Sequence, residues 1–85
     1  MDTPVVTVKL FAALRDAAGT GEVSVAAPTT LPTLLQELSE RFGQRFADRL
    51  RVAAVMVDGM PTDPESERPV PAGAEVALLP PFAGG

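Results

Sequence analysis

The stretch Thr30-Leu31-Pro32-Thr33-Leu34-Leu35-Gln36-Glu37-Leu38-Ser39-Glu40-Arg41-Phe42-Gly43 reads as a single amphipathic helix between two groups of strands. Leu31, Leu34, Leu35, Leu38 and Phe42 recur at i, i+3, i+4, i+7 and i+11, the spacing that lines one helix face with apolar side chains. Thr30 is the expected N-cap, Pro32 sits in the first turn where a missing N–H costs nothing, and Gly43 ends the segment. Gln36, Glu37, Glu40 and Arg41 fall largely on the other face, so the helix lays one side on a sheet.

Upstream, Val5-Val6-Thr7-Val8-Lys9-Leu10-Phe11 is a β-branched run that puts Val6, Val8 and Leu10 on one face and Val5, Thr7, Lys9 and Phe11 on the other. Residues 12–18 have high helix propensity over a short span, and Gly19 and Gly21 mark a turn, so a helical turn inside a wide hairpin is expected. Glu22-Val23-Ser24-Val25-Ala26 alternates as a second strand, antiparallel to the first, closed by Pro28. Downstream, Phe46, Ala47 and Leu50 suggest a second short turn of helix with Arg45, Asp48, Arg49 and Arg51 in solvent. Residues 52–57 are apolar on both faces, as suits a central strand. Asp58-Gly59 is a hairpin turn signal, and Met60 leads into a short edge segment. Residues 61–69 are an exposed loop. Glu75-Val76-Ala77-Leu78-Leu79 is the last strand, with Val76 and Leu78 facing one way and Ala77 and Leu79 the other.

The order β-β-α-β-β, with the last strand beside the first, predicts an α+β, β-grasp (ubiquitin-like) domain. Its expected form is a mixed sheet of four to five strands with one main helix packed on one face. Residues 1–79 form this domain, and residues 80–85 an extended tail. With one face covered by the helix, Phe11 and Leu79 are left without cover inside the chain, and apolar side chains grouped beside a protruding tail indicate a docking surface.

Composition removes several classes of function. The 85 residues carry a net charge of −4, with no cysteine and no histidine. A nucleic-acid surface needs clustered Lys and Arg, so none is expected. The apolar runs fall short of a membrane span and Asp2 stands where a signal peptide carries positive charge, so a cytoplasmic, membrane-free protein is expected. Without imidazole the chain lacks the commonest general base and metal ligand, and it has no thiol. Asp58, Asp63, Glu65 and Glu67 match no oxygen-ligand loop, so no metal site is expected. The tail Leu79-Pro80-Pro81-Phe82-Ala83-Gly84-Gly85 is different: two prolines favour an extended exit and two glycines make a slim tip. From Pro80 onward it can span about 20 Å, enough to bring the terminal carboxylate into a partner's active site.

Two segments carry a resemblance. Val8-Lys9-Leu10-Phe11-Ala12-Ala13-Leu14-Arg15-Asp16-Ala17-Ala18-Gly19, and residues 73–85 ending in Leu79-Pro80-Pro81-Phe82-Ala83-Gly84-Gly85, closely resemble the MoaD/ThiS ubiquitin-like sulfur carriers. The match is best to the small subunit of molybdopterin synthase. The resemblance implies a sulfur-donor subunit that is not an enzyme on its own and binds no cofactor itself. An E1-like partner would use ATP and magnesium to adenylate Gly85, a sulfur-donating protein would supply the sulfur, and Gly85 would become a thiocarboxylate. The large catalytic subunit of molybdopterin synthase would receive the tail, and the sulfur would pass to a cyclic pyranopterin precursor. By the same resemblance, Gly84 gives clearance in the channel, Phe11, Met60, Leu79 and Phe82 meet the partner, and Arg15 pairs with partner carboxylates. A related carrier for thiamine or cysteine synthesis, or a ubiquitin-like protein modifier, shares the tail chemistry with a different acceptor. A non-covalent interaction module would make the Gly-Gly incidental.

Overall fold

The computed structural model describes residues 3–81. Its elements are β1 (Val5–Leu10), α1 (Ala12–Ala18), β2 (Glu22–Ala26), α2 (Leu31–Phe42), α3 (Gln44–Leu50), β3 (Ala54–Val57), β4 (Met60–Pro61) and β5 (Glu75–Leu79). The strands form one sheet in the order β2-β1-β5-β3-β4. β5 lies parallel to β1 with Leu10 beside Leu78, while β1–β2, β3–β5 and β3–β4 are antiparallel. This is the β-grasp arrangement expected from the strand and helix pattern.

Period-two alternation decides which side of the sheet is dry. Val6, Val8 and Leu10 from β1, Val25 from β2, Val55 from β3 and Val76 and Leu78 from β5 are buried in one core with Leu14, Leu31, Leu34, Leu38 and Phe46 from the helices. Beside the main helix α2, the short helices α1 and α3 also contribute to the covered side. On α2 the expected stripe is real: Leu31, Leu34 and Leu38 are buried, and Thr30 Oγ1 accepts from the Thr33 N–H at 3.4 Å as the cap. Gly43, at φ 92°, is both the end of α2 and the start of α3, a left-handed bend that a side chain would strain.

Two expectations need correcting. The segment after Gly43 is a full seven-residue helix whose Phe46 is wholly buried and packs tilted against Phe42 with ring centroids 5.1 Å apart, where only a short turn is predicted. The strand predicted from residue 52 begins at Ala54. The Val52 and Ala53 N–H groups still donate back to the Arg49 and Leu50 carbonyls, so the helix exit uses those two residues and leaves Val52 58% exposed. At the other end of β3, Asp58 (φ 49°) and Gly59 (φ 82°) both take positive φ, as a two-residue hairpin turn requires.

Candidate functional site

β5 carries the chain out of the sheet at Leu79, beside the end of β1. Because Leu10 is the register partner of Leu78, the residue after β1, Phe11, is brought next to Leu79 at the point where the chain leaves. Phe11 is then the N-cap of α1: its extended backbone (φ −129°) gives way to Ala12 in the left-handed region at φ 52°, and its carbonyl accepts from the Leu14 N–H at 3.2 Å. This abrupt turn keeps the Phe11 ring out of the core, at 40% exposure. A non-glycine residue at positive φ is uncommon, and strain of this kind tends to sit beside functional surfaces.

Phe11, Val52, Leu79, Pro80 and Pro81 line a groove of about 210 Å³, with Arg49 at its edge. The lining is dominated by carbon, and the one charge is a guanidinium with no ion-pair partner among the described residues. Such a surface can bury apolar side chains of a partner and meet a carboxylate at its rim. A larger hollow of about 570 Å³ lies between α2, α3 and the 61–69 loop, lined by Leu35, Leu50 and polar side chains including Gln36 and Gln44. It is more open and has no connection to the chain's exit, so size does not decide which concavity matters.

Of the residues singled out in the sequence, the structure brings Phe11 and Leu79 together. Met60 stands elsewhere: it pairs with Val57, which pairs with Val76, three residues back along β5 from Leu79, on a two-residue edge strand at 67% exposure. Cross-strand partners share a face, so Met60 lies in the register row of the helix side, whereas Leu79 alternates onto the other side. Arg15 is exposed on α1 with its aliphatic stem over Gly21. Phe82, Gly84 and Gly85 lie outside the described residues. Val52 and Arg49 were not singled out as site residues, and their place in the groove comes from the α3–β3 connection. Asp58 and Asp63 have local tasks: Asp58 Oδ1 accepts from the Glu75 N–H at 2.9 Å, and Asp63 Oδ1 from the Glu65 N–H at 2.8 Å. No helix among the described residues is long and apolar enough to cross a membrane.

Comparison with known proteins agrees with the fold. The model of the ThiS family matches residues 8–85. No curated protein sequence gives a match. Among solved structures, SAMP1 from Haloferax volcanii is similar, with 28% identity, a TM-score of 0.71, and coverage of 95% of this chain and 99% of that one. A putative molybdopterin converting factor subunit 1 from Pyrococcus furiosus has a TM-score of 0.73 at 21% identity over 94% of this chain and 100% of that one. A chain of the complex of subunits 1 and 2 of molybdopterin-converting factor from Helicobacter pylori has a TM-score of 0.64 at 23% identity over 95% and 99%. The last two establish the fold alone.

Proposed function

The chain belongs to the ThiS family, and on that premise we propose that it is the sulfur-carrier subunit of a molybdopterin synthase, loaded at Gly85 and docked through the groove at the chain's exit. The observation that carries this reading is the convergence of Phe11, Val52 and Leu79 on the point where β5 releases Pro80 and Pro81. A partner seated there receives the tail as it binds. Subunits 1 and 2 of the Helicobacter pylori converting factor, one of them similar in fold to this chain, form a complex, which supports a second subunit as that partner.

The terminal carboxylate governs the chemistry. An α-carboxylate has a pKa of about 3.3–3.7, so at neutral pH it is an anion and a poor electrophile. An E1-like adenylating partner, using ATP and magnesium, converts its oxygen into a leaving group, and sulfur from a donor protein displaces AMP to give the thiocarboxylate. The chain holds no thiol or imidazole of its own, so its part is to present the terminus. Docking supplies position, and the tail length supplies reach.

Treatment with the adenylating partner, ATP and a persulfide donor is expected to raise the intact mass by sulfur minus oxygen, with the change confined to the C-terminal peptide. An unchanged mass alongside a carrier that does convert would refute the reading. A second reading, as a ubiquitin-like protein modifier, is favoured by the 28% identity to SAMP1. It predicts isopeptide adducts on target lysines where the carrier reading predicts a released thiocarboxylate.

A further inference from the structure

The chain has seven basic residues, of which Lys9 is the single lysine. It stands on β1 with Glu22 as its register partner on β2 and Ala77 as its partner on β5. Lys9, Ala77 and Leu79 therefore share the sheet face away from the helices, and Lys9 sits two residues back along β5 from the point where the chain leaves. Those two residues amount to about 7 Å at the rise of a strand. The six residues from Pro80 to Gly85 span up to about 20 Å. A tail of that length, if it turns back after Pro81, is long enough to bring the C-terminus to the only side-chain amine in the protein.

Such a neighbour matters if the terminus is activated, so an acceptor role for Lys9 rests on that part of the proposed function. In an acyl adenylate, a neutral Lys9 Nζ would attack the terminal carbonyl carbon. A C–N bond would form, the C–O bond to phosphate would break with loss of AMP, and the amine would give up a proton to solvent. The product, a closed isopeptide loop or a self-linked dimer, would consume the carrier. Lys9 Nζ donates to Glu22 Oε1 at 2.7 Å, an ion pair across the β1–β2 ladder. On the β5 side the nearest charge is Glu75, and both carboxylates favour the ammonium form. We propose that Lys9 is a latent acyl-acceptor site and that Glu22 holds it closed, so that the activated C-terminus passes to a partner and not to its own sheet. The hydrogen bond and charge of Glu22 come first, with Glu75 adding to them, and together they raise the Lys9 pKa above its ordinary value. The amine is then protonated over a wider pH range, and while it carries that proton it has no free lone pair with which to attack.

The test uses acetyl N-hydroxysuccinimide ester as a small acyl donor that needs no activated tail, with acetylation at Lys9 read by peptide mass against the chain's α-amino group. Near neutral pH and low salt, Glu22→Gln is expected to raise the Lys9 to α-amino ratio about two- to fivefold, the range of an exposed ion pair, and to lower the midpoint of the Lys9 pH–rate curve. Glu75→Gln is expected to give a smaller rise. Both variants change exposed side chains, and an unaltered melting curve shows that the comparison is between folded proteins. An unchanged ratio and midpoint in Glu22→Gln overturns the masking. With the adenylating partner and ATP, Glu22→Gln is expected to lose one water in a self-linked product that Glu22→Gln combined with Lys9→Arg does not form. Adenylation without any self-linked product overturns the acceptor role. Absence of adenylation itself refutes the carrier reading, and the ester experiment still decides the masking.

Discussion

Replacing Val52 by Asp separates docking from folding more sharply than any change in the tail. Val52 stands in the connection after α3 with 58% of its surface exposed, so the folded chain asks little of it. Surface substitutions without a structural task stay within about 0.5 kcal/mol, which for a domain of this size is a shift in Tm of roughly 2–4 °C. In a docked complex the exposed fraction becomes buried. Full burial of a valine side chain contributes about 1.5–3 kcal/mol, so 58% of it corresponds to about 0.9–1.7 kcal/mol. A carboxylate in its place adds a desolvation penalty of about 1–3 kcal/mol. Arg49 on the same groove offsets part of that penalty, which places the expected loss near the lower end of the sum, about 2 kcal/mol or roughly 30-fold in affinity. The assay is ATP–pyrophosphate exchange by the adenylating partner with this chain as the varied substrate. The expected result is a KM raised about 30-fold with the melting curve nearly unchanged, set against Gln36→Asp in the larger hollow, which leaves KM alone. A normal KM for Val52→Asp, or an equal rise for Gln36→Asp, would refute the assignment of the docking surface.

Phe46→Ala is expected to cost about 3–5 kcal/mol, a large share of the roughly 4–13 kcal/mol expected of a domain this size, because its ring is wholly buried and packs tilted against Phe42; urea unfolding with an unchanged slope would measure it. Ala12→Gly is expected to raise stability by about 0.5–1 kcal/mol, since relief of the φ 52° backbone outweighs the extra entropy glycine loses on folding; a drop in melting temperature would show that the left-handed geometry costs the alanine nothing.

How much was legible depends on the range of the signal. The α2 helix announces itself because its cap, stripe and terminating glycine lie within fourteen adjacent residues, each read by local physics. The strands β1 and β5 are legible because alternation persists over five or six residues with one face buried. The α3 helix is only partly legible: a seven-residue stripe offers two turns of period, and its N-cap Gly43 has no side chain to signal a start. The Val52-Ala53 error has the same origin, since two apolar residues before a strand read as part of it, whereas their N–H groups belong to the helix exit. Phe11 and Leu79 are legible from alternation, as apolar side chains on the uncovered sheet face, as well as from the resemblance, and the parallel β1–β5 register joins them. Val52 and Arg49 carry no pattern in the sequence, because exposure beside a groove is set by how distant elements pack.

The remaining surfaces of the sheet show why contact concentrates at the chain's exit. A sheet edge is the ordinary place for another strand to add, and both edges here are blunted. On β2, Thr20 Oγ1 donates to the Glu22 carbonyl and accepts from the Glu22 N–H, while Arg41 Nη1 from α2 reaches the Ser24 carbonyl at 3.4 Å. On the far edge, β4 is two residues long, and one of them, Pro61, has no N–H to offer. The helix side of the sheet is spent on the core. What stays open on the sheet is the face away from the helices, and at its end Phe11, Val52 and Leu79 meet where β5 releases the tail. Recognition and reactivity are therefore adjacent but carried by separate residues. On the proposed function, altering the groove is expected to change which partner takes the tail without touching the terminal chemistry, and altering Gly85 to remove the chemistry while leaving docking intact. On this division, a sulfur carrier and a protein modifier differ in what the groove selects and in the acceptor waiting beyond it, while the domain that presents the tail is the same.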